Sequence, residues 1–399
     1  MTRLRDRETL VGLGLVAISA VVYWLANRGF DAGRGDFFYL ADAFLHGRTW
    51  LDVRLGPNDV IVVDGHFYVP FAPFPAIALM PVVALLGPVT ADQVESGINA
   101  VLAAIGVGLC WWALGRFGVT RRLDRLWLSI LFGFSTQILW VTTRGGVWHT
   151  GHLVATMLTF LCLIELRGAR RAWLIGLLAG AAFLTRAPLA FAIPVYALLI
   201  AWPDWRHPGR WPWRPWIAVG LGVAPALIGF FAYNQVRFGS WFESGYALAT
   251  LPPFLEAQRE RGLFSIVHVP MNLDYFLVHL PFAIPKAPFF RPDGLGMSVL
   301  ITSPGLLLAL LADWRSREVR LLGLAALLVL IPTLLYYGGG WLQYGFRYAL
   351  DSIPFVWLLC GLAAAHAEVR GESMGWLWRT LIGFGVIVGA FGVYWAYHL

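Results

Sequence analysis

Residues 33–48, GRGDFFYLADAFLHGR, set two carboxylates, a histidine and two arginines directly behind an apolar run of membrane-spanning length. On a helix, Phe37, Phe38, Leu40, Ala41, Phe44 and Leu45 share one face and Asp42 and His46 the other, with Gly47 as the C-terminal stop. That pattern predicts an amphipathic helix lying in the membrane interface. Asp36 precedes its first apolar residue, at the N-cap position. Two roles are open to it. It caps the helix, or it acts as a general base: a carboxylate at the water boundary, screened by aromatic rings, keeps a raised pKa and accepts a hydroxyl proton. Asp31, five residues closer to the first span, is the second candidate.

The elements that position these groups are membrane helices. The chain has 399 residues, 58% hydrophobic and 13% charged, with a mean hydropathy of +0.66. Soluble proteins carry about 25% charged residues, and a barrel would show alternating strands of about ten residues. The composition predicts an all-α polytopic membrane protein. Its net charge of +7 is not read as nucleic-acid binding, because the bias is one of arginine: Lys286 is the only lysine among 30 basic residues. Cys110, Cys162 and Cys360 sit inside apolar runs, without disulfide or zinc spacing. The basic and apolar N-terminus lacks a small-residue cleavage site and is expected to be an uncleaved anchor.

Eleven spans can be drawn, at 10–26, 96–115, 126–142, 150–166, 172–186, 188–202, 216–233, 295–312, 320–337, 343–362 and 377–397. The proline-rich run 70–88 is short for a twelfth. If it does not cross, the N-terminus and the segments 116–125, 167–171, 205–214, 314–320 and 364–379, all arginine-rich, fall on one side. The positive-inside rule makes that side cytoplasmic. Residues 70–88 are then re-entrant or juxtamembrane, and the C-terminus is outside. Two long segments, 27–95 and 234–294, are also outside, folded against the membrane as caps of a cavity within a single membrane domain, 1–399.

A set of motifs follows this order: an outside acid and juxtamembrane helix after the first span, then DGHFYVPFAPFPAIALMP (64–81), YNQVRFGSWFESGY (233–246) and GGGWLQYGFRYALDSIPF (338–355). The arrangement resembles the GT-C superfamily of membrane glycosyltransferases. It is closest to the family 39-like bacterial branch that includes protein O-mannosyltransferases and the lipid A aminoarabinose transferases. The resemblance implies a GT-C-like fold in an inner or plasma membrane. It implies a sugar donor on polyprenyl phosphate, transfer to a lipid, glycan or protein hydroxyl outside the cytoplasm, and inversion at the anomeric carbon. Many members carry an Asp-Glu pair in the first outside loop, whereas Phe37 follows Asp36 here.

Such chemistry needs one carboxylate as base and cations for the departing phosphate. Asp36 is the candidate base. Arg144, His149 and His152 lie at the outer ends of the third and fourth spans, Arg186 at that of the fifth, and His66 and Tyr344 in the motifs above. Arg237 and Glu243 open the second outside segment; Lys286 and Arg291 close it. Several keep a second reading. Arg347 either pairs with Asp351 on one helix face or binds phosphate. Lys286 snorkels or binds substrate, Arg186 marks a span boundary or faces the site, and Glu243 caps its own turn or holds a sugar hydroxyl. Tyr68, Phe71, Trp148, Tyr246 and Trp341 stack on substrate or anchor at the interface. No cofactor is expected; a divalent metal would need His149 and His152 with Asp36 or His66, which lack a recognised ligand spacing. The competing functions are a carrier or flippase of lipid-linked sugars, disfavoured by the absence of mid-membrane charge and repeats, and a non-catalytic subunit of an envelope assembly.

Overall fold

The computed structural model describes residues 2–27, 34–201 and 213–398. Asp31 and most of the arginine-rich stretch 205–214 lie outside them. The chain is mostly helical. Helix α1 (Thr2–Ala26) leads to α2 (Asp36–Leu45), a hairpin of β1 (Ile61–Val63) and β2 (His66–Tyr68), then α3 (Phe74–Leu86) and α4 (Pro88–Gln93). The bundle continues through α5 (Glu95–Arg116), α6 (Arg122–Phe134), α7 (Ile138–Arg144), α8 (Val147–Arg167), α9 (Ala172–Phe183), α10 (Ile193–Ala201) and α11 (Trp213–Phe238). A second irregular segment holds α12 (Pro253–Arg259), α13 (Val269–Leu273) and a hairpin of β3 (Phe282–Ala283) and β4 (Phe290–Arg291). The chain ends with α14 (Val299–Thr302), α15 (Arg317–Leu335), α16 (Ile353–Val369) and α17 (Trp376–Ala396).

All eleven apolar runs fall on helical segments. Six helices among the described residues (α1, α5, α8, α11, α15 and α17) are long and apolar enough to cross a bilayer, and a seventh forms if α6 and α7, bent by 42°, are one span. This is the make-up of a multi-pass membrane protein. The other runs are short or broken. Prolines at 304 and 354 open new helical segments within runs that read as continuous, and Pro188 opens one at the start of its run, since proline removes an amide donor and clashes with the preceding turn. Helix α3 has 13 residues, about 20 Å at 1.5 Å per residue, short of the roughly 30 Å hydrocarbon layer.

The two hairpins depart from an all-α reading. The β1–β2 turn is Asp64–Gly65, with φ of +50° and +79°. That is the two-residue loop whose left-handed twist Asp-Gly adopts readily. Packing elsewhere depends on small residues. Gly176 and Gly180 of α9 face Val219, Gly222 and Ala226 of α11, and a Cβ at Gly176 or Gly222 would strike the opposing backbone. The small-xxx-small spacing lets two helices meet without side chains between them. The core runs through α5, α6, α8 and α16, where Trp111, Phe132, Phe160 and Trp357 are buried and Trp357 Nε1 donates to the Leu128 carbonyl at 2.7 Å.

The arginine-rich segments meet at one end of the bundle. Arg122 and Arg125 pair with Glu8 of α1 at 2.7 and 2.6 Å. Arg379 pairs with Asp124 at 3.0 Å, Arg171 with Glu165 at 2.9 Å, and Arg167 with Glu318. Glu368 accepts from Thr120 and Arg121. This is the C-terminal end of α5 and α8 and the N-terminal end of α6 and α15.

Candidate functional site

At the opposite end, where α8 begins and α15 finishes, two adjoining chambers open. The first, 360 Å³, is lined by Arg34, Asp59, Arg144, His149, Trp148, Tyr246, Tyr337, Trp341 and Arg347, among others. The second, 150 Å³, is more apolar in character, bounded by Phe37, Val147, Ala187, Pro188, Leu263, Phe264 and Pro332, with Arg186 in its wall. Phe71, Trp148, Tyr246, Tyr336, Arg347 and Tyr348 line both. Four guanidinium groups thus face the space, and Asp59 is its only lining acid among the described residues.

Arg347 stands where the chambers join. Its Nη1 donates to the Trp341 carbonyl at 3.2 Å, its Cζ lies 5.3 Å from the Tyr348 ring centroid, and its Nε has no partner among the described residues. Of the two readings of Arg347, the pairing with Asp351 does not form. Residues Arg347–Asp351 are a 3₁₀ turn. At three residues per turn, positions four apart point about 120° away from each other. Asp351 instead accepts from Arg186 Nε at 2.9 Å on both oxygens and faces His152 Nδ1 at 3.2 Å. Arg186 is therefore a wall cation neutralised from behind, and His152, fully buried, supports that pair without lining either chamber.

Asp36 is the first helical residue of α2 and caps nothing; Gly35 holds the N-cap position, with no side-chain cap bond. Both Asp36 oxygens accept from Arg34, Oδ1 from Nε at 3.1 Å and Oδ2 from Nη2 at 3.0 Å. The carboxylate is buried and lines neither chamber; Arg34 does. The Arg34 Cζ lies 4.8 Å from the Trp148 ring centroid, and Trp148 Nε1 donates to Asp59 Oδ2 at 3.0 Å. Burial raises the Asp59 pKa, against the opposing pull of the Trp148 bond, Arg34 and Arg347.

Other expected residues separate from this group. Arg144 lines the first chamber and donates to the Ala396 carbonyl at 2.9 Å. His149 lines it too, with Nδ1 on the Gly145 carbonyl and Nε2 buried without a partner among the described residues. Lys286 is exposed on the β3–β4 hairpin beside the exposed Phe289 and Phe290, away from both chambers, and Arg291 is exposed on β4. Glu243 accepts from the Gly245 amide at 2.6 Å and so braces its own turn. His66 packs edge-on against Trp50 with centroids 4.7 Å apart, and Tyr344 is buried with its hydroxyl on the Val388 carbonyl. Arg237 is buried between Tyr233 and Phe238 and donates to the Val69 carbonyl. Among the aromatics, Phe71, Trp148, Tyr246 and Trp341 line the space and Tyr68 does not. Among the described residues no three histidine, cysteine or acidic side chains stand together as metal ligands.

Sequence reasoning missed Arg34, Asp59, Tyr336, Tyr337 and Tyr348. Only Arg34 left a trace, as a basic residue two positions before an acid.

No family model matches the chain, and no curated protein does. Among solved structures, the apo crystal structure of the Archaeoglobus fulgidus oligosaccharyltransferase aligns at 14% identity and a TM-score of 0.45, over 96% of this chain and 55% of that one. The chain spans about half the length of that protein.

Proposed function

We propose that the protein is a GT-C glycosyltransferase that moves a sugar from a polyprenyl-phosphate donor to an acceptor hydroxyl, with inversion, at the extracytoplasmic face of a cell membrane crossed about eleven times. The observation that carries this reading is Arg347. It is a buried cation with no carboxylate partner among the described residues, at the junction of a larger chamber that holds Arg34, Asp59 and Arg144 and a smaller one bounded mostly by apolar side chains. A donor with a hydrocarbon tail, a phosphate and a sugar has that same succession of chemistry. The isoprenoid lies against Ala187, Pro188, Leu263 and Phe264, the phosphate meets Arg347 with Arg186 behind it, and the sugar enters the chamber walled by tyrosine and tryptophan. Phosphate is a weakly basic leaving group, so cations aimed at its developing charge suffice and no acid need protonate it. Aromatic faces supply flat, partly polar surface for the sugar. The acceptor's proton goes to a carboxylate of the linked set Asp36–Arg34–Trp148–Asp59. The arginine-rich end is placed in the cytoplasm with the N-terminus.

The test is direct. Purified protein in nanodiscs is given synthetic polyprenyl phosphates bearing mannose, glucose, galactose or arabinose, with native membrane extract as acceptor, and released polyprenyl phosphate is measured. Release that depends on Arg347 is expected. A protein that binds these lipids and exchanges them between leaflets without releasing polyprenyl phosphate is a carrier, and the reading fails.

A further inference from the structure

We infer that Asp59 is the general base of the transfer, and that Asp36 positions it through Arg34 and Trp148. This rests on the reading above. A base must present a carboxylate oxygen where an acceptor hydroxyl can reach it. Among the described residues, three acids line the chambers or hydrogen-bond a side chain that does, and geometry separates them. Both Asp36 oxygens are engaged by one guanidinium, and the group is buried off the cavity. Both Asp351 oxygens are engaged by Arg186, again behind the wall. Asp59 lines the chamber and is half-buried; one oxygen takes the Trp148 N–H, and Oδ1 accepts no hydrogen bond from the described residues.

The backbone around Asp59 is fixed for the purpose. Its φ is +54°, a conformation that aspartate tolerates at a cost of about 1 kcal/mol and that concentrates at functional sites. The turn is clipped to the second outside segment: the Asp59 amide donates to the Thr250 carbonyl at 2.8 Å and the Thr250 amide to the Val60 carbonyl at 2.9 Å. Arg34 Nη1 adds a bond to the Asn58 carbonyl at 3.3 Å. Arg34 is thus held by Asp36 on one side and braces both the turn and the Trp148 ring on the other. His149 is the competing acceptor, but its Nε2 is closed off from the chamber, and its protonation would add a cation to the wall that already carries Arg144 and Arg347.

In the step so assigned, the acceptor O–H bond breaks and its proton moves to Asp59 Oδ1. The freed oxygen pair forms the bond to the anomeric carbon. The bond from that carbon to the phosphate oxygen breaks, and its electron pair leaves on the phosphate facing Arg347. Burial raises the Asp59 pKa, so turnover falls on acidification from a higher pH than an ordinary aspartate would give, because only the ionised form accepts a proton.

The assay above decides it, with polyprenyl-phosphate affinity measured alongside. Asp59→Asn is expected to lower kcat by about 10³-fold with lipid affinity within twofold of the parent. Asp59→Glu should retain part of the rate, which excludes misfolding as the cause. Trp148→Phe should move the acid limb of the kcat–pH profile upward, since a hydrogen bond that favours the carboxylate is lost. Asp36→Asn should cost between about 10- and 100-fold through misplacement and keep that limb. His149→Gln should also keep it. If the parent turns over and Asp59→Asn stays within threefold of it, or the limb vanishes only in Asp36→Asn or His149→Gln, the Asp59 assignment is overturned while the transfer reading stands. If the parent releases no polyprenyl phosphate from any donor, the transfer reading falls and takes the base with it.

Discussion

The two ends of the bundle use the same residue in opposite ways. At the arginine-rich end, Arg122, Arg125, Arg167, Arg171 and Arg379 each meet a carboxylate. Arg125 also lies flat on Trp111, with its Cζ 3.9 Å from the ring centroid. These pairs tie α6 to α1 and α17, and α8 to α15. At the cavity end, Arg34 and Arg186 have carboxylates behind them, but among the described residues the Arg347 guanidinium meets only the Trp341 carbonyl and the Tyr348 ring. A positive charge answered within the fold stabilises the fold. One answered only by carbonyl dipoles retains its attraction for an anion that arrives later. The lesson is that arginine count distinguishes neither end; what the guanidinium touches does.

Several substitutions break or sharpen that contrast. The largest effect is expected for Arg347→Ala, which should weaken polyprenyl-phosphate binding by on the order of 100-fold, about 2.7 kcal/mol, with an unchanged melting temperature in detergent; unchanged affinity would erase the distinction between the ends. Asp124→Ala comes next. It strips the partner from Arg379 and the acceptor from the Met374 amide, and should cost about 2 kcal/mol of stability, read as a lower melting temperature, while lipid affinity holds. Glu8→Gln should lower the melting temperature less, by the equivalent of about 1 kcal/mol, because the glutamate is only part-buried. Smallest of all, Lys286→Gln should leave both lipid affinity and melting temperature unaltered; a tenfold loss of affinity would mean that the exposed β3–β4 hairpin closes over the cavity.

How much of this was legible in the sequence follows the range of the interactions. Apolar runs report local hydropathy, so the helical character of the eleven runs was readable, though among the described residues only six helices, or seven with α6 and α7 joined, are long and apolar enough to cross a bilayer. The break at Pro188 falls where the fifth and sixth runs were divided, but those at Pro304 and Pro354 were visible as residues and not as ends of helices, because proline is tolerated in a first turn and disruptive only further in. The amphipathic face of α2 was readable, and Phe37, Phe38, Leu40 and Ala41 are buried as expected. The role of its acid was not, because Arg34 competes for Asp36 at a range of two residues. Arg347 and Asp351 show how an i,i+4 argument fails when the backbone is 3₁₀. Asp59 was silent. It sits in a short polar turn, LGPNDV, that reads as any loop, and what makes it special is a partner 191 positions away at Thr250.

That clip fixes an order of events on the ribosome. Asp36 and Asp59 are made first, but the turn that carries Asp59 has no brace until Thr250 has been made, and the chamber wall waits for Arg347, made later still. A nascent or truncated polypeptide that stops short of Arg347 therefore carries the two acids without the walls of the chambers.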